Sequence, residues 1–377
     1  MEHRADLAIV GAGILGLAHA WAAARRGRRV VVFERARRAS GASVRNFGLI
    51  WPIGQPHGAA HQLALRSREI WLEVLEDARL PFLGTGSLHL AYRDDEAAVG
   101  REFADRAPKL GYECAWLNAG AVQERSSAVQ PEGLIGALWS PVEFTVDPRL
   151  VVASLPEYLR QRCGVDVRFG CAVRAIDMPA IDAGTERWKA DRVIICSGED
   201  FDSLFPGAYA QAGLTRVKLQ MLRTAPQPEG WRLGPALAAG LTLRFYPSFQ
   251  VCASLAALRE RIAQETPEYD RWGIHGLVSQ TVQGELTLGD SHEYGLCTDV
   301  FNKDEIDGLI LKYISGFLRA PDLTIAQRWH GVYAKHPEAA YLSLDPAPGV
   351  RIVTSPGGAG MTLSFGVAER TIEELGL

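Results

Sequence analysis

Three glycines near the start of the chain have the spacing of a pyrophosphate-binding turn. They lie between the apolar run 7–10 and the alanine-rich stretch 17–26, at Gly11, Gly13 and Gly16. In a strand-turn-helix unit the first glycine permits the turn, the second lets the backbone approach a phosphate, and the third lets the helix pack against the strand. The N–H groups at the helix start then attract the phosphates. This segment predicts binding of a dinucleotide cofactor.

An acidic residue completes the pattern. Residues 30–33 form a second apolar run that ends at Glu34, 18 residues after Gly16. A carboxylate at this strand end accepts hydrogen bonds from a ribose, and it would repel a 2′-phosphate. Glycines alone would also fit a purely structural turn, but the order of strand, glycines, helix, strand and acid favours the cofactor. Among the surrounding arginines, Arg35 and Arg45 are the two that we expect near it.

Further glycine-rich segments follow other strands. Residues 40–48 are small and polar and come shortly after the second strand, so they can wrap around a different part of an extended ligand. The strand-like run 192–196, which is apolar after Arg192, leads into Ser197 and Gly198. Near the end of the chain, the strand-like run 350–354 leads into the glycine-rich segment 355–362 and then a predicted helix over 363–375. Glycine-rich turns therefore lie at both ends of the sequence.

These motifs resemble the FAD-dependent amine oxidases of the D-amino acid oxidase, glycine oxidase and sarcosine oxidase type. The resemblance is carried by residues 8–16, 43–48, 194–198, 329–331 and 357–362, together with Glu34, and it extends over essentially the whole chain. It implies one FAD, held by Gly11, Gly13, Ile14, Gly16, Glu34, Arg35, Ser43, Arg45, Asn46, Phe47, Gly48, Val173, Ser197, Gly198, Gly357, Gly358, Ala359, Gly360, Met361 and Thr362. It also implies hydride transfer from an amine α-carbon to flavin N5, followed by hydrolysis of the imine to a carbonyl compound.

The resemblance also implies an α/β (α+β) fold with two interleaved domains. A Rossmann-like FAD-binding domain would contain residues 1–80, 145–207 and 318–377. A substrate domain built mainly on an antiparallel sheet would contain residues 81–144 and 208–317. The residue patterns favour strands over 214–224, 241–246 and 277–288, a connecting loop over 226–237, and an amphipathic helix over 304–318.

Several residues are candidates for the reacting end of the site. In relatives, the strand that ends near Gly289 delivers side chains to the flavin, which makes His292 a candidate to position or deprotonate an amine. A hydrogen-bonded loop histidine is the alternative. Tyr246, Phe47 and Trp51 are candidates for the substrate-binding wall, and ordinary core aromatic residues are the alternative for them.

The segment around Tyr333 departs from the family pattern. Amino-acid oxidases of this group place an arginine at this position, which forks onto the substrate carboxylate, and tyrosine cannot reproduce that pairing. We predict that Tyr333 and His292 contact the reacting end of the substrate. The nearby cations His330, Lys335 and His336 would suit a phosphonate or phosphate tail, although a solvated surface loop is the alternative.

One subgroup shares these local patterns. Residues 45–56 and 289–294 resemble relatives associated with organophosphonate breakdown, which implies 2-aminoethylphosphonate or its N-methyl derivative as substrate and phosphonoacetaldehyde as product. Relatives often use a lysine near the flavin to assist the reaction with oxygen, and the comparable strand here offers Thr287. Molecular oxygen is the expected electron acceptor, and a dehydrogenase that reduces a quinone or carrier is the alternative. A non-catalytic binding scaffold with the same fold is a third interpretation.

Composition limits the other function classes. The 377 residues carry a formal net charge of −4, which gives no support for nucleic-acid binding. The six cysteines include no CxxC pair, so we predict no metal site. Residues 7–24 have no formal charge but contain three glycines and a histidine, which argues against a signal or membrane-spanning segment. We therefore expect a cytoplasmic protein without stable membrane insertion, of unassigned oligomeric state.

Overall fold

The computed structural model describes residues 3–354 and 356–377. The described residues form eleven α-helices: α1 (Ile14–Arg25), α2 (Ala59–Asp77), α3 (Asp94–Leu110), α4 (Ala119–Arg125), α5 (Pro148–Cys163), α6 (Pro206–Gln211), α7 (Gly240–Leu243), α8 (Leu255–Glu265), α9 (Pro267–Arg271), α10 (Asp304–Ser315) and α11 (Gly360–Glu374). Four short 3₁₀ helices cover Ala42–Val44, Pro52–Gly54, Pro247–Val251 and Gly357–Ala359.

The strands are distributed along the whole described chain. They are β1 (His3–Val10), β2 (Val30–Glu34), β3 (Leu49–Ile50), β4 (Phe82–Leu83), β5 (Ser87–Ala91), β6 (Ala115–Asn118), β7 (Gly136–Ser140), β8 (Phe144–Val146), β9 (Asp166–Phe169), β10 (Ala175–Asp177), β11 (Ala180–Ala183), β12 (Glu186–Ile195), β13 (Thr215–Pro226), β14 (Ala236–Ala238), β15 (Leu277–Gln280), β16 (Glu285–Gly289), β17 (Glu293–Gly295), β18 (Ile325–Lys335), β19 (Leu342–Ala347) and β20 (Val350–Thr354).

The first sheet has a parallel centre that positions both glycine-rich turns. Strands β20, β12, β1, β2 and β9 lie side by side and run in the same direction. Their residues are apolar on both faces because helices α1, α5 and α11 cover one face and a second apolar cluster covers the other. The carboxyl ends of β1 and β20 therefore meet at one edge of the sheet, where ligands bind in open α/β sheets.

The second sheet is almost entirely antiparallel. Its nine strands follow the order β17-β13-β16-β15-β14-β5-β7-β6, with β18 paired to β13, and only the pair of β14 and β5 is parallel. Helices α3, α8 and α10 pack on it around a continuous apolar core. A three-stranded sheet of β3, β8 and β4 completes the structure. The predicted α/β architecture, with a Rossmann-like part and an antiparallel part, is confirmed.

Most of the predicted elements are present with shifted ends. The strand predicted over 214–224 is β13, the helix over 304–318 is α10, and the run 277–288 is a hairpin of β15 and β16. The predicted loop 226–237 is shorter in the structure, because Pro226 belongs to β13 and residues 236–237 belong to β14. The C-terminal helix begins at Gly360, and Ser355 of the predicted turn lies outside the described residues.

The strand predicted over residues 241–246 is wrong. This segment contains the short helix α7 and a turn that leads to the 3₁₀ helix Pro247–Val251. Leu241, Thr242 and Leu243 are all buried, and a short apolar run buried on every side does not distinguish a helix from a strand. Tyr246 consequently enters the interior from a turn.

The predicted division into interleaved domains remains a prediction. One strand departs from its boundaries, because β18 belongs to the antiparallel sheet although it falls within the range 318–377 assigned to the cofactor part. Within the described residues, no helix has both the length and the apolar character needed to cross a bilayer.

Candidate active site

The turn between β1 and α1 is held by a network of backbone and side-chain bonds. The N–H of Gly11 donates to the carbonyl of Phe33 at 2.7 Å. The Glu34 carboxylate accepts from the N–H groups of Ala12 and Ala36, each at 2.9 Å. The Ser43 hydroxyl oxygen accepts from the N–H of Ile14 at 2.9 Å. Glu34 and Ser43 therefore fix the glycine turn from two sides.

The glycine turn fits the pyrophosphate of FAD. Gly13 is the N-cap residue of α1 and places no side chain over the helix end. A Cβ at Gly13 would lie 3.0 Å from the Ser43 hydroxyl, so this side of the turn has room only for a bare backbone. The N–H groups at the start of α1 and the absent side chain at Gly13 together form a cradle that fits phosphate oxygens.

A substitution of Glu34 tests the cofactor assignment. We expect Glu34→Ala to weaken FAD binding about 10- to 100-fold, because it removes the charge-assisted hydrogen bond to Ala12 in the turn, a second one to Ala36, and the proposed ribose acceptor. Titration of the apoprotein with FAD, followed by flavin fluorescence, measures the change. The matched control is Glu229→Ala, since Glu229 is exposed and far along the chain. Equal affinity in the two variants would contradict the role of Glu34.

A second group of predicted cofactor residues lines the ends of neighbouring strands. Arg35 pairs with Asp200 at 2.6 Å, so its guanidinium is partly engaged. The Ser197 hydroxyl donates to the carbonyl of Asp200 at 2.9 Å, and the carbonyl of Gly198 accepts from the Thr354 hydroxyl at 2.9 Å. Val173 comes two residues after Cys171. The backbone N–H groups of Gly170 and Cys171 donate to the carbonyls of Ala36 and Glu34.

The loop 42–48 links the cofactor side to the antiparallel sheet. The Asn46 side chain donates to the carbonyls of Ala42 and Ser43 and accepts from the N–H of Gly48. Arg45 donates to the carbonyl of His330 at 3.1 Å. Phe47 reaches the second sheet, since a Cβ at Gly289 would lie 3.4 Å from Phe47 Cζ. The loop thus brings β16 and β18 beside the cofactor-binding sheet.

The C-terminal glycine turn lies against the end of β18. Lys335 forms an isolated bridge with Pro356, and a Cβ at Gly358 would lie 3.6 Å from the Tyr333 hydroxyl. The remaining predicted residues of the turn are in the 3₁₀ helix and at the start of α11: Gly357, Ala359, Gly360, Met361 and Thr362. Thr362 accepts from the N–H of Trp51 at 2.9 Å. Tyr333 therefore lies between the turn and the interior of the second sheet.

A buried cluster of one carboxyl group and two imidazoles lies next to Tyr333. His275 Nδ1 is 3.9 Å from Asp290 Oδ1, and His292 Nε2 is 3.9 Å from Asp290 Oδ2. The N–H of His275 donates to the carbonyl of Asp290, and the N–H of His292 donates to the carbonyl of Trp272. These bonds continue the β15–β16 ladder and hold the three side chains together.

Sequence reasoning identified only His292 of this cluster. Asp290 lies two residues before it, and His275 is distant along the chain, so neither was selected. The hairpin register could have found His275. Because Leu277 pairs with Gly289 in an antiparallel ladder, the residue two positions before Leu277 must lie across from the segment that contains Asp290 and His292.

Burial controls the charge of the cluster. Desolvation raises the pKa of Asp290 to about 8 and lowers the pKa of His292 to about 4. Burial also lowers the pKa of His275 well below its usual value, and the neighbouring His292, Arg244 and Lys335 lower it further. Both histidines are therefore neutral at pH 7, and the Asp290 carboxyl is the group of the cluster that titrates near working pH.

Aromatic residues close the pocket on its inner side. The Trp51 ring is 6.2 Å from Tyr246 and 5.3 Å from His89, and Tyr246 is 6.1 Å from His275, as centroid distances. His89 is fully buried, which lowers its pKa to about 3. Of the predicted wall residues, Tyr246 is thus brought beside the cluster and Trp51 lies behind Tyr246, together with His89, for which the sequence predicted no role.

His330 is not brought to the cluster. Alternate residues of a strand point to opposite faces, so His330 on β18 points away from the face that carries Tyr333 and Lys335. Its Nδ1 lies 3.0 Å from the side-chain oxygen of Asn302. His336 accepts from the N–H groups of Glu338 and Ala339 and organises its own loop. Only Lys335 of the three predicted cations therefore lies on the Tyr333 face.

His275, Asp290 and His292 are also a group of residue types that could hold a metal ion, with one ligand atom of each within 4.8 Å of the others, but their spacing is wider than that of a formed zinc site. Zinc ligands lie about 2.0–2.2 Å from the ion, which places neighbouring tetrahedral donors about 3.4 Å apart. Both contacts between a histidine nitrogen and Asp290 are longer, at 3.9 Å. Arg244 and Lys335 also act on both histidines, and their positive charges oppose a cation. The cluster is better matched to a ligand that donates hydrogen bonds.

Solved structures with the same fold cover almost the entire chain. The L-proline dehydrogenase of P. horikoshii superposes with a TM-score of 0.80 at 19% identity, over 100% of this chain and 95% of that one. The glycine oxidase of Geobacillus kaustophilus superposes with a TM-score of 0.78 at 20% identity, over 99% and 94% of the two chains. At these identities the likeness shows the fold alone.

Sequence comparison gives the family. The glycine oxidase of Geobacillus kaustophilus (strain HTA426) is 29% identical in an alignment 215 positions long that covers 52% of this chain. The match spans 55% of that protein, about half of its length. The model of the DAO family, described as FAD dependent oxidoreductase, matches residues 6–374. The chain therefore belongs to the DAO family of FAD-dependent oxidoreductases.

Proposed function

We propose that this chain is an FAD-dependent amine oxidase that acts on a small primary or N-methyl amine with an anionic tail. The observation that supports the proposal is the buried cluster of His275, Asp290 and His292 beside Tyr333. These groups offer acceptors for the N–H groups of an amine. Bound FAD would supply the two-electron oxidation of the C–N bond, after which the imine hydrolyses to an aldehyde.

The pocket is poorly suited to an α-carboxylate. Tyr333 stands where amino-acid oxidases of this type carry an arginine, and its hydroxyl cannot fork onto a carboxylate. Arg244 acts electrostatically on both histidines, but it pairs with Asp270 and donates to the carbonyls of residues 241, 269 and 274. Its guanidinium is therefore engaged by the protein, and this favours an amine whose anionic group lies further from the reacting carbon.

Lys335 is the proposed partner of that anionic group. Its Nζ lies 5.0 Å from the centroid of the Tyr294 ring, at the outer side of the cluster, and its charge contributes to lowering the pKa of both histidines. A lysine binds a phosphonate as a point charge. These features support 2-aminoethylphosphonate or its N-methyl derivative as the substrate and phosphonoacetaldehyde as the product.

Replacing Lys335 tests the substrate class. We expect Lys335→Met to raise the KM for 2-aminoethylphosphonate about tenfold. The reason is that one partly exposed ion pair contributes about 1 kcal/mol or slightly more to the binding free energy. The KM for n-propylamine, which has no anionic tail, should change less than twofold. Steady-state kinetics with both amines give the comparison. An equal rise in KM for the two amines, or no rise for either, would count against the phosphonate assignment.

Molecular oxygen is the proposed electron acceptor. Thr287 lies on β16 with its side chain on the same face as Gly289, toward Phe47, where relatives often place a lysine that assists oxygen, so this position by itself does not favour oxygen over a quinone or carrier. Oxygen consumption compared with the reduction of an artificial dye distinguishes the possibilities. Fast oxygen consumption supports an oxidase, whereas slow oxygen consumption with fast dye reduction would identify a dehydrogenase that passes electrons to a quinone or carrier.

A further inference from the structure

The pocket beside Tyr333 contains polar atoms that the described residues leave without a hydrogen-bond partner. They are both ring nitrogens of His275 and Oδ1 of Asp290, on residues that are 6% and 5% exposed. A buried polar atom without a partner costs about 1–3 kcal/mol. Three such atoms in one cluster indicate that a bound ligand completes their hydrogen bonds.

His292 and the second carboxylate oxygen of Asp290 lie beside these unpartnered atoms, and their positions define what that ligand must offer. His292 Nδ1 lies 3.1 Å from the carbonyl of Gly273, so this nitrogen carries the proton of the neutral ring and Nε2 presents its lone pair to Asp290. Nε2 and Asp290 Oδ2 are then two acceptors 3.9 Å apart. A ligand nitrogen that lies about 2.9 Å from each acceptor can donate one N–H to His292 Nε2 and a second N–H to Asp290 Oδ2. An amine or ammonium group has this capacity.

Other titratable and charged groups surround the cluster from every neighbouring element. They are Arg244 and Tyr246 from the segment after α7, Tyr333 and Lys335 from β18, Tyr294 from β17, and His89 behind Trp51. Glu293 pairs with Lys218 and Lys303 instead. Arg244 is paired with Asp270, and burial favours the neutral form of Tyr246, Tyr333 and the histidines. Asp290 is therefore the one surrounding group in the described pocket that is suited to accept a proton from a cation.

We propose that Asp290 accepts a proton from the ammonium group of the substrate, while His292 and His275 hold the resulting amine by hydrogen bonds. The inference rests on the proposed amine oxidation. In this step one N–H bond of R–CH2–NH3⁺ breaks and one O–H bond forms on the carboxylate, which gives R–CH2–NH2 and a neutral carboxylic acid. The nitrogen lone pair becomes available for oxidation of the C–N bond, and no net charge remains in the buried cluster.

The step predicts a characteristic pH profile. The productive complex holds one proton that amine and carboxyl share. The second-order rate constant for flavin reduction in the wild-type protein should therefore rise with pH with a midpoint near 8, the pKa of Asp290, and fall again above the pKa of the amine. In Asp290→Asn the ammonium group must lose its proton to solvent. The midpoint should then move to the pKa of the amine itself, about 10 for an alkylamine. The matched control is Asp307→Asn, because Asp307 is also buried but pairs with Gln220 and Arg328 outside the pocket.

The experiment follows anaerobic flavin reduction by stopped flow between pH 6 and 10.5. The amines are 2-aminoethylphosphonate and 2-amino-1-fluoroethylphosphonate, whose ammonium group is more acidic. The proposal is supported if the pH midpoint of flavin reduction lies near 8 with both amines in the wild-type protein, and if the midpoint in Asp290→Asn follows the pKa of each amine. The proposal is overturned if the pH midpoint of the wild-type protein already follows the pKa of each amine. This outcome does not depend on whether Asp290→Asn folds. If neither these nor other amines reduce the flavin, the proposed function itself fails.

Discussion

Gly16→Ala is expected to give a protein without bound FAD and with a free energy of unfolding lower by at least about 3 kcal/mol. A Cβ at this position would lie 1.9 Å from the carbonyl oxygen of Gly11 and 3.3 Å from the Ile9 side chain. The first of these contacts is with backbone, which a rotamer change cannot relieve. The start of α1 would have to move away from β1, and this movement would destroy the cradle for the pyrophosphate.

A second glycine provides the control for this prediction. Gly308 lies on the exposed side of α10, and a Cβ there would contact nothing within 4 Å. Gly308→Ala should retain FAD and should raise stability by about 0.5–1 kcal/mol, because alanine favours the helix. Thermal unfolding and the visible flavin spectrum of the purified variants measure both effects. If Gly16→Ala retained a full complement of FAD, the close approach of α1 and β1 would not be required for cofactor binding.

Tyr333→Phe is expected to lower the rate of flavin reduction by the substrate about 10- to 100-fold while FAD remains bound. The Tyr333 hydroxyl lies between the glycine turn at Gly358 and the cluster around Asp290, where it can orient the amine over the flavin. Removal of the hydroxyl leaves its hydrogen-bond partner in the buried site unsatisfied, which costs about 1–3 kcal/mol. Rapid-reaction measurement of the reduction rate at saturating amine isolates this effect from binding.

Tyr294→Phe is the matched control, because the Tyr294 side chain is 53% exposed and lies outside the enclosed part of the pocket. It removes the same hydroxyl group from a tyrosine near the cluster. We expect its reduction rate to stay within about twofold of the wild-type rate, as for surface substitutions away from a site. Equal rates for both phenylalanine variants and the wild-type protein would remove Tyr333 from the reacting end.

The cofactor-binding part was largely predictable because its signals are local. The order of apolar run, glycines, helix and acid predicts the turn that lies between β1 and α1, whereas the bonds of Glu34 and Ser43 to the backbone of this turn are seen only in the structure. The C-terminal turn was predictable for the same reason. Backbone conformation and close approach restrict the residue types at such positions, so the pattern can be read directly from the sequence.

The pocket was less predictable because it depends on contacts between distant segments. His275 and Asp290 become neighbours only through the register of β15 and β16. The face of β18 that carries Tyr333 and Lys335 excludes His330, and a cluster of cations in the sequence does not reveal this alternation unless the strand is known. The error at residues 241–246 has a related cause, since burial on all sides removes the periodicity that separates helix from strand.

The charge of the site also depends on the tertiary structure. An aspartate in an unspecified loop is expected to be ionised at neutral pH, whereas burial without a cationic partner raises the pKa of Asp290 to about 8. His292 is neutral for the same reason. The sequence therefore indicated a histidine as the proton acceptor, and the structure supports the neighbouring carboxyl group as a better candidate.

The most direct test of the account is anaerobic reduction of the bound flavin by a panel of amines. The purified protein should be yellow, and 2-aminoethylphosphonate or its N-methyl derivative should bleach the flavin faster than glycine or sarcosine does. A flavin that stays oxidised with both aminophosphonates, yet bleaches with glycine or sarcosine, would contradict the proposed substrate.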